Sequence, residues 1–230
     1  MIEVIVVGEG QTEEAFIRDV MAPPLAVEGI YLQPRLISTS CQARGGALTP
    51  DRVLRFLRNT LRERADTYVT TLFDLYRLAP DFPGTQAATA LSDPLARVGL
   101  IEAAFAASVI ERSECRAERF LAYIQPYEFE ALLFSGIERV AEVESQWQSQ
   151  LEPLRQARNC ARSPEHINDG PTTHPSARLA TLRHPRYQKT LHGPQIAGRI
   201  GLEQIRAECS HFAAWLTRIG SLRRLILPAG

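Results

Sequence analysis

The sequence predicts an α/β fold: a mainly parallel sheet flanked by helices, with a helical region toward the C-terminus. Three observations carry that expectation. Short β-branched or aromatic runs at 2–7, 30–38, 68–73 and 120–124 alternate with stretches of helical periodicity. The first run leads straight into Gly8-Glu9-Gly10-Gln11-Thr12-Glu13-Glu14, a sharp turn from strand to helix. Beyond residue 136 no strand-like run follows, and Pro and Gly punctuate short helical segments instead.

Each element has its own signal. Ile2–Val7 has the length and composition of a buried parallel strand. Thr12 is placed to cap the next helix, with Glu13 and Glu14 matching the positive end of its dipole. That helix is expected over 12–28, broken or ended near Pro23-Pro24. A strand over 30–38 and a loop over 41–48 with Arg44-Gly45-Gly46 come next. Thr49-Pro50 reads as a cap followed by proline at the first helical position, and Leu54, Leu57 and Leu61 give an apolar face through Ala65. The strand Tyr68–Phe73 ends at Asp74, before an irregular loop centred on Pro80-Asp81-Phe82-Pro83-Gly84. Asp93-Pro94 opens a helix to about Ile110. Phe120–Ile124 is a fourth strand, and a helix is expected to begin near Pro126. The expected division is a core over 1–136 and a basic helical region over 137–230 packed on it.

Composition narrows the class. The 230 residues are 45% hydrophobic and 23% charged, ordinary for a globular protein, and no apolar stretch nears the ~20 residues of a membrane span. A first strand carrying Glu3 is no signal peptide, so a cytoplasmic protein with no membrane partner is expected. Cys41, Cys115, Cys160 and Cys209 form no C-x-x-C pair and read as reduced. Net charge is zero, but unevenly spread. Residues 1–150 hold 14 Arg against 21 Asp and Glu, a net of −7. Residues 151–230 hold 12 Arg and Lys against 5 acids, a net of +7, and all five His. Acidic chemistry beside an anionic substrate fits that split; a chance partition of an arginine-rich chain is the competing reading.

The chemistry points to carboxylates at strand ends. A dinucleotide fingerprint would need glycine at position 13, and no Gly-Lys-Ser/Thr follows for a P-loop. In a parallel sheet the strands' carboxyl ends share one edge, which brings Glu9 and Asp74 to one crevice. Glu128 and Glu130 follow the fourth strand toward it. Acids this close repel unless a positive group sits between them, and hard oxygen donors favour Mg²⁺ or Mn²⁺. Residues two apart do not share a helix face, so one glutamate of the pair is expected to face the metal, and Glu128, nearer the strand end, is favoured.

The strand-Glu-Gly and strand-Asp pattern resembles the Toprim signature. More closely, Gly8–Glu13, Phe73–Tyr76, Asp81–Gly84, Glu128–Phe134, Ile167–Pro171 and Gly198–Trp215 are similar to a family of small bacterial Toprim-like proteins catalogued as a domain of unknown function. The resemblance implies a metal-dependent nuclease related to overcoming-lysogenization-type enzymes, acting in phage defence with an ABC-type ATPase encoded nearby. Where Toprim proteins carry a second acid, this chain has Tyr76, which leaves Asp81 as the substitute ligand beside Glu9, Asp74, Glu128 and Glu130. Arg44, Arg178 and Arg186 are candidate contacts to nucleic acid. Lysines usual in the family are replaced by Arg44 and Ala177.

Lys189 is the chain's single lysine among 25 arginines. A compact ammonium approaches a scissile phosphate where a planar guanidinium does not fit. Lys189 is thus a candidate for transition-state stabilisation, against the plainer reading of a surface lysine on an exposed helix. Two other functions remain in view: a catalytically silent regulatory subunit of an ATPase complex, and a nucleotidyl- or phosphotransfer enzyme.

Overall fold

The computed structural model describes residues 1–37, 47–167, 170, 172–223 and 225. A parallel sheet lies between two layers of helices. Its central strand β1 (Ile2–Gly8) pairs with β2 (Ile30–Leu36) on one side and β3 (Tyr68–Asp74) on the other, with Val4 opposite Leu32 and Tyr68. Beyond β3 lie two short strands, β4 (Phe120–Leu121) and β5 (Ile124–Gln125). All pairings are parallel, as the apolar runs predict.

Side-chain alternation along the strands sorts the core into two clusters. Ile5, Val7, Val69 and Phe73 face α3 (Pro50–Glu63) and α5 (Pro94–Ser113), whose Leu54, Leu57, Ile101 and Phe105 fill that side. Val4, Val6, Tyr68 and Leu72 face the other way. There they meet Phe16 of α1 (Gln11–Phe16), a 3₁₀ segment over Phe129–Gly136, and three late helices: α9 (Lys189–Ile200), α10 (Leu202–Glu208) and α11 (Ser210–Gly220). Between these run α6 (Ile137–Val143), α7 (Glu152–Cys160) and α8 (Pro175–Leu179), and α4 (Thr85–Ala88) sits in the loop after β3. No described residue beyond 136 lies in a strand. No helix among the described residues is long and apolar enough to cross a membrane.

Three local expectations are corrected and one is made specific. The expected break near Pro23-Pro24 is an interruption and not an end: a π turn over Ile17–Met21 leads into α2 (Ala22–Val27), and the prolines occupy its first turn. The Ala22 N–H reaches back five residues to Ile17, and the wider turn spares the N–H groups that proline lacks. Thr12 does not cap α1, which begins one residue earlier behind Gly10. The fourth strand is split, because the Thr71 hydroxyl takes the place of a ladder partner. It donates to the Tyr123 carbonyl at 2.9 Å and accepts the Tyr123 N–H at 3.0 Å. Helical structure begins at Phe129, after Tyr127 turns the chain with φ +61° and Glu128 continues extended.

Candidate active site

The carboxyl edge of the sheet gathers four carboxylates and one ammonium. Glu9 lies between β1 and α1. Its Oε1 accepts the Asp74 backbone N–H at 2.8 Å, and its Oε2 accepts from Arg77 Nε at 3.2 Å. Glu13, in the first turn of α1, curls back so that its Oε2 accepts the Gly10 N–H at 2.9 Å. Gly8 makes room for that turn, since a Cβ there would stand 3.1 Å from Glu13 Cβ. Asp74 ends β3 on the face shared by Tyr68 and Leu72. Its Oδ1 accepts the Phe129 N–H at 2.7 Å, and its Oδ2 lies 3.4 Å from Lys189 Nζ.

Glu130 completes the group. It is fully buried, and its Oε2 lies 3.0 Å from Lys189 Nζ. Neither of its oxygens has an aligned hydrogen-bond donor among the described residues, although the Lys189 ammonium and the buried Tyr187 hydroxyl both stand beside it. Lys189 arrives because α9 packs closely on α1. At Gly193 a Cβ would stand 3.3 Å from Thr12 Cγ2 and from Phe129 Cε1, so glycine permits this close approach without displacing either side chain.

Negative charge is in surplus here. Burial pushes Glu9 up to about 8, with the Asp74 charge adding to it. Burial and Asp74 likewise push Glu13 up to about 7. Glu130 rises to about 7 because burial outweighs the pull of Lys189. Asp74 is raised for the same reason. Burial disfavours the charged Lys189, but Asp74, Glu130 and Glu13 outweigh it and hold the ammonium protonated. Carboxyl groups raised in this way hold protons near neutral pH, and a cation entering among them would displace those protons.

A family profile described as a domain of unknown function, DUF4276, matches residues 8–220. The chain belongs to the DUF4276 family. It is also similar to the C-terminal region of the OLD protein of Xanthomonas campestris pv. campestris, at 15% identity over 94% of each chain with a TM-score of 0.42. The comparison with curated proteins gives no match.

In this DUF4276 chain the sequence-predicted residues fare differently. Glu9, Asp74, Glu130 and Lys189 come together. Glu128, the favoured partner of the acids, turns instead toward α8, where it accepts the Ser176 N–H at 2.9 Å and the Ser176 hydroxyl at 3.0 Å. His174 Nδ1 lies 3.2 Å from the same carboxylate. The extended backbone at Glu128 sends it and Glu130 to different neighbours. Asp81 is exposed and forms no ion pair among the described residues; its segment is anchored by Phe82, packed on Phe105 at 4.8 Å. Arg178 donates to the Thr173 carbonyl at 2.6 Å, and Arg186 is exposed. Arg44 and the expected loop residues 41–46 lie outside the described residues. Glu13, Arg77 and Tyr187 join the site without having been singled out as site residues by sequence.

Among the described residues no three His, Cys, Asp or Glu side chains converge as ligands of one ion. The acids are arranged around an ammonium instead. Their chemistry nevertheless suits a hard divalent cation: every donor is a carboxylate oxygen, and Glu130 presents two buried oxygens without aligned donors.

Proposed function

We propose that this DUF4276 protein is a Toprim-like, metal-dependent nuclease that hydrolyses phosphodiester bonds of DNA or RNA. One observation carries the reading: carboxylates from the β1–α1 turn, α1, the end of β3 and the segment after β5 gather around the chain's only lysine. Glu9, Glu13, Asp74 and Glu130 would hold Mg²⁺ or Mn²⁺. Bound ions would supply charge stabilisation to the attacking and leaving oxygens of an in-line displacement. Arg77 and the Asp74 N–H fix the orientation of Glu9. Lys189 meets a non-bridging phosphate oxygen as its charge grows. Water forms the new phosphorus–oxygen bond as it gives up a proton to solvent, the ester bond breaks, and the leaving oxygen takes up a proton from solvent.

Residues 1–136 serve as the catalytic core and the basic region 137–230 as the phosphate-binding part, with Arg178 and Arg186 on flanking phosphates. Glu128 acts through His174 and Ser176 and is not a direct ligand, and Asp81 has no part in the site. A partner ABC-type ATPase and a role in phage defence belong to the same proposal. The test is cleavage of DNA and of tRNA by purified protein with Mg²⁺ or Mn²⁺, with and without the ATPase encoded beside it. Cleavage that Glu9→Gln and Asp74→Asn abolish supports the proposal. A protein that binds metal yet cuts nothing under any of these conditions is a regulatory subunit instead.

A further inference from the structure

We infer that Lys189 is a resident counter-ion that a divalent cation displaces: its ammonium holds the position between Asp74 and Glu130 until metal enters, and then leaves it for the open crevice. The inference rests on the metal-binding reading above and goes beyond it by giving the lysine two positions.

Three independent features carry it. The ammonium lies 3.4 Å from Asp74 Oδ2 and 3.0 Å from Glu130 Oε2, between acids drawn from two different elements. The Glu130 carboxylate is fully buried, so the ammonium is the positive charge that neutralises it in the absence of metal. Second, Lys189 is the first residue of the twelve-residue helix α9, where the positive end of the helix dipole opposes a cation. Only the facing acids hold it there, and a competing cation on those acids removes the reason to stay. Third, the side chain is 39% exposed although its charged partners are buried, so a path outward is open and four rotatable carbons reach along it.

Charge follows the same direction. Glu13, Asp74 and Glu130 bring three negative charges when ionised, and Lys189 offsets one. Exchange of a single for a double positive charge offsets two. The lysine released by that exchange stands at the rim, where a phosphate would meet it. An arginine would not serve, because its planar fork binds carboxylates in pairs and yields them less readily.

The chain's composition makes the test direct. With one lysine, an amine-acylating reagent marks Lys189 and the α-amino terminus alone, and mass spectrometry separates the two. Wild-type protein is acylated in EDTA and in saturating Mn²⁺, with Mn²⁺ binding followed in parallel by calorimetry on wild type and Lys189→Gln. The expected result is a Lys189 acylation rate at least fivefold higher with Mn²⁺, an unchanged rate at the terminus, and Mn²⁺ binding at least tenfold tighter in Lys189→Gln. Calorimetric binding with no rise in Lys189 acylation overturns the inference and leaves the metal reading standing. Mn²⁺ binding that weakens in a folded Lys189→Gln also overturns it, since the lysine would then be aiding the metal. Absence of any binding to wild type overturns both. The acylation arm uses unmutated protein, so it stands even where Lys189→Gln fails to fold.

Discussion

Glu128 and Glu130 are two residues apart in the chain and belong to different neighbourhoods. Glu130 is fully buried against Lys189, whereas Glu128 braces α8 through Ser176 and His174. Glu130→Gln should therefore abolish metal binding measured by calorimetry. Glu128→Gln should retain it while losing about 1.5–3 kcal/mol of stability in urea, the range for hydrogen bonds to a charged group. Equal loss of binding from both would make them joint ligands. Away from the crevice, burial works against charging His211, but the hydrogen bond and charge of Glu102 outweigh it and raise its pKa. A histidine raised in the folded state stabilises fully below its unfolded value of about 6.5, and that stabilisation is lost as pH climbs through the folded value. The gap in urea midpoint between wild type and His211→Gln should accordingly be wider at pH 6 than at pH 9; a constant gap would refute the linkage. Of the acids, Glu9 and Asp74 were legible because strand ends share an edge. Glu13 was not, since an acid in a helix's first turn already has a sufficient explanation in the dipole.

Elements were legible where one local signal decides them. Asp93-Pro94 is such a case: the Asp93 carboxylate accepts the Ala96 N–H at 3.1 Å and α5 starts as read. Boundaries set by partners distant in sequence were not. The break between β4 and β5 depends on Thr71, and survival of the first helix past Pro23-Pro24 depends on a π turn that no residue type announces. The Asp81–Gly84 segment is set by packing as well, through Phe82 on Phe105 and the close approach of Gly84 to α5. Gly84 has φ +85°, and a Cβ there would stand 2.9 Å from Ala104 Cβ and 3.0 Å from Ile101 Cα. Gly84→Ala combines a left-handed penalty of about 1–2 kcal/mol with overpacking of about 1–3. A loss of about 2–5 kcal/mol in chemical denaturation is expected, with metal affinity unchanged once the protein is folded. An unaffected midpoint would show that the loop detaches freely from α5.

For the molecule as a whole, the split of −7 and +7 places Arg178 and Arg186 on the basic side. If they contact phosphates, affinity for nucleic acid falls steeply with salt, and the double change Arg178→Gln, Arg186→Gln lowers the slope of log affinity against log salt by about 2. An unchanged slope would move the phosphate path elsewhere. The core that faces α9 to α11 has a further consequence, which concerns the order in which a ribosome delivers its walls. Val4, Val6 and Leu72 emerge early, yet Ile196, Phe212, Trp215 and Ile219 that cover them come roughly two hundred residues after the first. Throughout that interval the acids at Glu9, Glu13, Asp74 and Glu130 are already made, and the lysine that gathers them is not. The growing chain thus carries an apolar face and an unbalanced acidic edge until the segment from Lys189 to Ile219 is translated, and the acids and their ammonium come together only after that.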